Sequence, residues 1–283
     1  MYEQFFGLRE PPFSLTPDPR FLWMSETHEE GLAALVYGIT RRKGFLLLTG
    51  EVGTGKTTLL RAALGQIPAD TDTALVLNTM HLTALDLLKL IAAEFGVGGQ
   101  YDCKADYLIA LNRMLLERLR SGRNTVLIID EAQNLSEECL EEIRLLSNLE
   151  TDTHKLMQIV LTGQPELLRK LALPSLRQLR QRIAIEHHME PLNPEDVRPY
   201  LEHRIAVAGG NMDEVLKPGC EPTFYWFSGG CPRLISLLAD RVLLAGYAKQ
   251  IRPIPPEFVE RKAKSMGVSR GAGLADDLGA LED

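Results

Sequence analysis

Five short apolar runs, each bounded by polar or turn-forming residues, set the rhythm of this chain. They are "GFLLLT" (44–49), "TALVLNT" (73–79), "NTVLIID" (124–130), "KLMQIVLTG" (155–163) and "RIAIEHHME" (182–190). Their length suits strands, and their apolar character suits strands covered on both faces. Between them the apolar spacing turns helical. "TALDLLKLIAAEF" opens with Thr83 and Asp86 in capping-box positions. Another helix is expected from about Ser25, where Ser25 caps, Glu26 lies in the first turn, and Leu32, Leu35, Val36 and Ile39 share a face. Buried strands alternating with amphipathic helices predict a parallel sheet with helices on both sides, an αβα sandwich.

Outside that region the texture differs. Residues 1–24 are rich in proline and aromatics, and "REPPFSLTPDPRF" is expected to run extended and turning rather than helical. After "PLNPEDV" only helical patterns follow, punctuated by "AGGN", "KPG" and "SGGCPR". The reading is thus an extended segment over 1–24, an α/β core over 25–190, a small all-helical lid over 191–265, and a flexible Gly-, Ala- and Asp-rich tail over 266–283. No internal repeat is found.

Composition alters this picture little. Apolar residues at 45% and charged residues at 24% are ordinary for a globular protein, and 283 residues can bury a substantial core. A net charge of -7 argues against a surface built wholly for nucleic acid. Cys103, Cys139, Cys220 and Cys231 form no C-x-x-C pair and suit free thiols in a reducing compartment. The start lacks the basic flank and apolar core of a signal peptide, and "LISLLADRVLLAGYA" is broken by Asp240 and Arg241 before it reaches membrane-spanning length. The expected location is the cytoplasm.

The chemistry concentrates where strands end. "GEVGTGKT" fits G-x-x-x-x-G-K-[ST], with a strand before it and a helix after it. Such a loop turns several backbone N–H groups inward at a helix N-terminus, a nest for anionic oxygens. Gly50, Gly55, Lys56 and Thr57 stand in register with the motif. Lys56 adds charge at the β- and γ-phosphates, and the Thr57 hydroxyl suits Mg2+. In "TVLIIDEAQ", Asp130 arrives at the carboxyl end of a strand, where it would hold Mg2+ through its water shell. Glu131 follows, placed to orient and deprotonate an attacking water, which argues for hydrolysis over transfer. In "LTGQPEL", Thr162 or Gln164 would contact the γ-phosphate or the water, unless Gln164 serves only the turn. "LPSLRQLRQRI" offers arginines for a neighbouring subunit's γ-phosphate, Arg182 first and Arg180 second, with Arg177 read as surface. Arg233, at the start of a lid helix, would fold over bound nucleotide, or else pair with a carboxylate.

Together these motifs resemble the AAA+ ATPases, and more narrowly the general secretion pathway protein A (ExeA-like) family. "YEQFFGLREPPFSLTPDPRFLW", "GEVGTGKTTLLR", "LIIDEAQNL", "LTGQPEL", "LRQRI" and "GGCPRLI" look like that family's successive motifs over roughly residues 1–265. The resemblance implies a P-loop (ASCE/AAA+) fold, and it extends the cradle, as Walker A, over Gly50, Glu51, Val52, Gly53, Thr54, Gly55, Lys56, Thr57 and Thr58, with Walker B at Asp130 and Glu131. It also implies sensor 1 near Gln164, an arginine finger at Arg182 or Arg180, and sensor 2 at Arg233. ATP and Mg2+ are the implied cofactors. A homo-oligomer is the implied assembly, and protein partners of a secretion or export system would place it peripheral to the inner membrane. That family continues into a transmembrane helix and a peptidoglycan-binding region; neither pattern occurs in these residues, so the chain is read as a fragment or a soluble relative. A DNA-binding ATPase of the transposition target-selection (MuB/TniB-like) type is the alternative, motivated by "RRK" (41–43) and "RKAKSMGVSR" (261–270).

Overall fold

A computed structural model describes residues 1–77, 79–99, 101, 103–151 and 154–267. In chain order the helices are α1 (Tyr2–Phe6), α2 (Glu26–Thr40), α3 (Lys56–Leu64), α4 (Ala84–Glu94), α5 (Lys104–Arg120), α6 (Glu137–Leu146) and α7 (Pro165–Leu171). They continue as α8 (Arg177–Arg180), α9 (Val197–Val207), α10 (Met212–Val215), α11 (Glu221–Ser228), α12 (Pro232–Ala248) and α13 (Pro256–Ser265). The strands are β1 (Phe45–Gly50), β2 (Thr71–Val76), β3 (Asn124–Ile129), β4 (Gln158–Gly163) and β5 (Ile183–Met189). The chain divides into two compact units. One is Thr27–Glu51 with Leu59–Met189; the other is Met1–Glu26, Val52–Thr58 and the chain from Glu190 onward.

The first unit is built on a five-stranded, all-parallel sheet in the order β2-β3-β4-β1-β5. Its three inner strands are buried along their whole length, as their unbroken apolar runs require. On one face, Leu47, Leu127, Ile129, Ile159 and Leu161 pack into a core with Leu87, Ile91, Leu111, Leu140 and Ile143 of α4, α5 and α6. Each such side chain contributes about 1.5–3 kcal/mol on burial. On the other face α2 lies directly on β1 and β5: a Cβ at Gly38 would fall 2.3 Å from Leu46 and 2.8 Å from Ile185. The sandwich therefore has helices on both sides. The capping box of α4 forms as expected, with the Thr83 hydroxyl accepting from Asp86 N and the Asp86 carboxylate accepting from Thr83 N.

Two strand boundaries differ from the sequence reading. β2 starts and ends earlier than 73–79, because it takes in Asp72. As an edge strand it tolerates that charge, which pairs with Arg118 and Arg123. β4 starts only at Gln158, since Lys155 is used in an antiparallel bridge to Glu150.

The second unit is helical, with Leu201, Phe224, Ile235, Val242 and Phe258 at its centre. The N-terminal residues join this core. Where extended chain is expected, Tyr2–Phe6 form a helix, because Tyr2 and Phe6 bury on this core while Gly7 ends the turn at φ 72°. The Tyr2 hydroxyl donates to Asp240 at 2.7 Å, and burial first, then that carboxylate, raises its pKa. Arg204 donates to the carbonyls of Pro12 (2.7 Å) and Ser14 (2.9 Å) while stacking over Phe21. The expected tail lies outside the described residues from position 268 on. Among the described residues no helix is long and apolar enough to cross a membrane.

Candidate functional site

The loop that leaves β1 is shaped by its glycines. Gly53 and Gly55 adopt φ of +86° and +100°, a region closed to most L-residues. Thr54 is buried, and Lys56, the first residue of α3, is only 6% exposed, unusual for a lysine. Glu51 and Val52 are exposed, while Thr57 and Thr58 are half-buried. The start of α12 is stitched to this loop. Arg233 N donates to Gly53 O at 3.2 Å, and the Cys231 thiol donates to Val52 O at 3.3 Å. A Cβ at Gly53 would lie 2.6 Å from Arg233 Cβ and 2.9 Å from Cys231 Sγ. The approach is closed to any larger residue at 53. Burial raises the Cys231 thiol pKa, so this contact is made by the neutral group. The Arg233 side chain is exposed; its peptide, not its guanidinium, makes the contact.

The sheet register assembles a second group at the carboxyl ends of β3 and β4. Ile129 pairs with Leu161, so the next residues, Asp130 and Thr162, stand side by side. The Thr162 hydroxyl donates to Asp130 Oδ1, and both side chains are buried. Asp130 Oδ1 also accepts from Glu131 N at 2.9 Å, and Asp130 N donates to Val76 O at 3.0 Å. Thr162, one of the two residues expected to meet phosphate or water, thus commits its proton to Asp130. Glu131 sits at φ 51°, ψ 40°, in the left-handed region, where a non-glycine residue is held only by its surroundings. Its carbonyl accepts from the Thr79 hydroxyl at 2.9 Å. Its Oε2 accepts from two amides, Gln133 Nε2 at 2.5 Å and Gln164 Nε2 at 3.2 Å. Gln164 therefore reaches the carboxylate, as its place at the end of β4 allows.

Gln133 and Lys170 were not singled out from sequence. Gln133 follows Glu131 by two positions, and only the short 3-10 turn Ala132–Asn134 brings its amide back onto that carboxylate. Lys170, on α7, donates to the carbonyls of Gln133 (2.5 Å) and Leu135 (2.6 Å) and so anchors that turn. The polar "DEAQN" run is the sequence signal that could have pointed to Gln133; nothing marked Lys170.

The arginines differ among themselves. Arg177 and Arg180 are exposed, on the short helix before β5. Arg182 folds back within its own unit, donating to Ser147 Oγ at 3.0 Å.

The donor chemistry suits magnesium. No group of three or more His, Cys, Asp or Glu is poised as a metal cage among the described residues. Mg2+ prefers one or two carboxylates, with waters and substrate phosphates completing its shell. Asp130 and the Thr57 hydroxyl are hard oxygen donors of that kind.

Residues 39–171 match the family model of an AAA domain. Over 250 residues, 88% of this chain, the sequence is 49% identical to general secretion pathway protein A of Aeromonas hydrophila. The chain spans 45% of that relative's length. Among solved structures, Cdc6p of Pyrobaculum aerophilum superposes with a TM-score of 0.70 at 18% identity, covering 91% of this chain and 72% of that one. The ORC2 protein of Aeropyrum pernix, solved as ADPNP-ADP complexes, gives 0.69 at 17% identity, covering 96% and 75%. At such identities the likeness is one of fold.

Proposed function

We propose that this chain, which matches an AAA domain over residues 39–171 and is 49% identical over 250 residues to general secretion pathway protein A, binds and hydrolyses ATP with Mg2+. In this reading the backbone of Gly50 to Thr58 and the Lys56 ammonium hold the phosphates. Thr57 and Asp130 take the magnesium ion, which when bound supplies charge neutralisation at the phosphates. Glu131 orients and deprotonates the attacking water, and Gln164 reports the γ-phosphate to β4. Arg180 or Arg182 acts on a neighbouring subunit's nucleotide. The exposure of Arg180 favours it, since Arg182 must first leave Ser147. Arg233 couples the helical unit to nucleotide state, supported by the hydrogen bond that its backbone N–H donates to Gly53 O.

One observation carries this reading: a carboxylate at the end of an inner strand, in a strained backbone conformation, gripped by two amides. Strain of that kind persists where surroundings enforce it, often at reacting groups. Steady-state ATP hydrolysis by the full chain tests it. The unaltered protein should turn over ATP with Mg2+, and Glu131→Gln should bind nucleotide yet fail to release phosphate. Full turnover by Glu131→Gln would refute the assigned base.

At the level of the cell we propose an oligomeric switch that assists assembly or energising of a secretion or envelope export machine, cytoplasmic and peripheral to the inner membrane through partners. The homology to general secretion pathway protein A supports this. An ATP-dependent change in assembly size checks it, and a mass unchanged between ATP and ADP states would count against it. The DNA-binding alternative gains no specific support. Arg42 donates to Gly122 O, Lys43 lies over the Tyr37 ring, and the second basic run passes partly outside the described residues. DNA-stimulated hydrolysis at low salt would revive it.

A further inference from the structure

We propose that Gln133 is a positioning residue for Glu131, holding the carboxylate in place before nucleotide turnover. The inference rests on the reading of Glu131 as the base. A carboxamide is neither a base nor an acid near neutral pH, so Gln133 cannot take the water's proton itself. What it can do is fix an orientation, and three polar groups of Gln133 are used for that. Its Nε2 donates to Glu131 Oε2 at 2.5 Å, its Oε1 accepts from Gln164 N at 3.2 Å, and its carbonyl accepts from Lys170 Nζ at 2.5 Å. The amide thereby bridges the end of β3 to the end of β4.

Room for that bridge is made at Gly163. Its φ is not in the left-handed region, so backbone conformation does not require glycine there. Space does: a Cβ at 163 would lie 2.9 Å from Gln133 Oε1 and 2.8 Å from Leu167. Lys170 adds rigidity from the other side, since its second bond to Leu135 O ties down the exit of the same turn. A glutamate side chain left free would have to lose rotamer freedom to be held for reaction. The two amides on Oε2 impose that loss during folding. Gln164 shares the task, but its bond is longer at 3.2 Å, so Gln133 provides the shorter anchor.

Steady-state kinetics on the full chain, with nucleotide affinity read separately from a fluorescent ATP analogue, test this. Gln133→Leu should lower kcat roughly 10- to 100-fold, the scale of a small misplacement of a reacting group, with KM and nucleotide affinity within about twofold. Added to Glu131→Gln, it should cause no further loss, because it acts only through that carboxylate. Gly163→Ala, which displaces the Gln133 amide without altering its chemistry, should show the same split more weakly, and it decides the matter if Gln133→Leu melts without a cooperative transition. An unchanged kcat in Gln133→Leu, a parallel loss of nucleotide affinity, or a further drop in the residual turnover of the double variant would overturn the proposal while Glu131→Gln alone remains impaired as expected. Wild-type turnover by Glu131→Gln would instead overturn the base assignment, and this inference with it.

Discussion

Two of the loops that follow sheet strands solve the same problem in opposite ways. After β1 the backbone enters left-handed conformation twice, and both positions, Gly53 and Gly55, are glycine. After β3 it enters the same region once, at Glu131. Glycine makes such a turn almost free of steric cost and leaves room for close approach, used here by Cys231 and Arg233 against Gly53. Glutamate there costs about 1–2 kcal/mol and gives a carboxylate in return. The first loop is shaped to receive something against its backbone. The second is shaped to present one side chain. That difference suggests separate tasks, binding for one and reaction for the other, and substitutions can separate them.

The largest effect is expected in the second loop. Glu131→Gln keeps size and one acceptor oxygen for the two amides but removes the proposed base, so kcat should fall about 10²–10⁴-fold. Nucleotide affinity, measured by titration of a fluorescent analogue with Mg2+, should be retained. Equal losses in both quantities would erase the contrast between the loops. Lys56→Ala is the complement. Removing a charge-assisted contact to phosphate costs about 2–3 kcal/mol, or roughly 30- to 150-fold in affinity. Turnover extrapolated to saturating ATP should then fall less than in Glu131→Gln. Unchanged affinity in Lys56→Ala would take the phosphate role away from the first loop.

The same contrast explains what could be read from sequence. The glycine-lysine loop announces itself, because glycines at fixed spacing are required by backbone geometry and so appear as letters. The sheet was legible for a related reason: inner strands buried on both faces must be continuously apolar, and β1 and β3 fall within a residue or two of their expected bounds, as does the edge strand β5. β2 was displaced because an edge strand can carry Asp72 when Arg118 and Arg123 answer it, and that answer comes from elsewhere in the chain. Helix α1 was missed because its short aromatic sequence has little helical pattern of its own and is fixed by packing on the helical core. Asp130 and Glu131 could be named from strand and motif. Their partners Gln133 and Lys170 could not, since a 3-10 turn and a contact from α7 create those bonds only after folding.

Gly53→Ala probes the first loop's reliance on glycine. The added methyl meets Arg233 Cβ at 2.6 Å and Cys231 Sγ at 2.9 Å while the backbone stays at φ +86°. Left-handed strain alone costs about 1–2 kcal/mol, and the clash adds to it. Thermal unfolding should shift down by about 2–4 °C per kcal/mol for a chain of this size class, with nucleotide affinity reduced as well. A variant as stable as the parent would mean that the loop and the start of α12 separate readily.

The smallest effect, and the sharpest comparison, comes from Glu131→Gly. The change places in the second loop the residue that the first loop uses. Relief of left-handed strain should stabilise the folded chain by about 1–2 kcal/mol. Against this, glycine gains freedom in the unfolded chain, worth about 0.4–1 kcal/mol in the other direction. Two amide contacts to Oε2 are also lost, but Gln133 and Gln164 are only half-buried and can turn to water. The balance is a melting temperature equal to or slightly above that of the parent, together with loss of turnover as complete as in Glu131→Gln. Stability without activity is the signature of strain retained for function rather than for folding. A clear drop in melting temperature would show the opposite: that the grip of the two amides on this carboxylate holds the ends of β3 and β4 together, and that Glu131 is part of the scaffold.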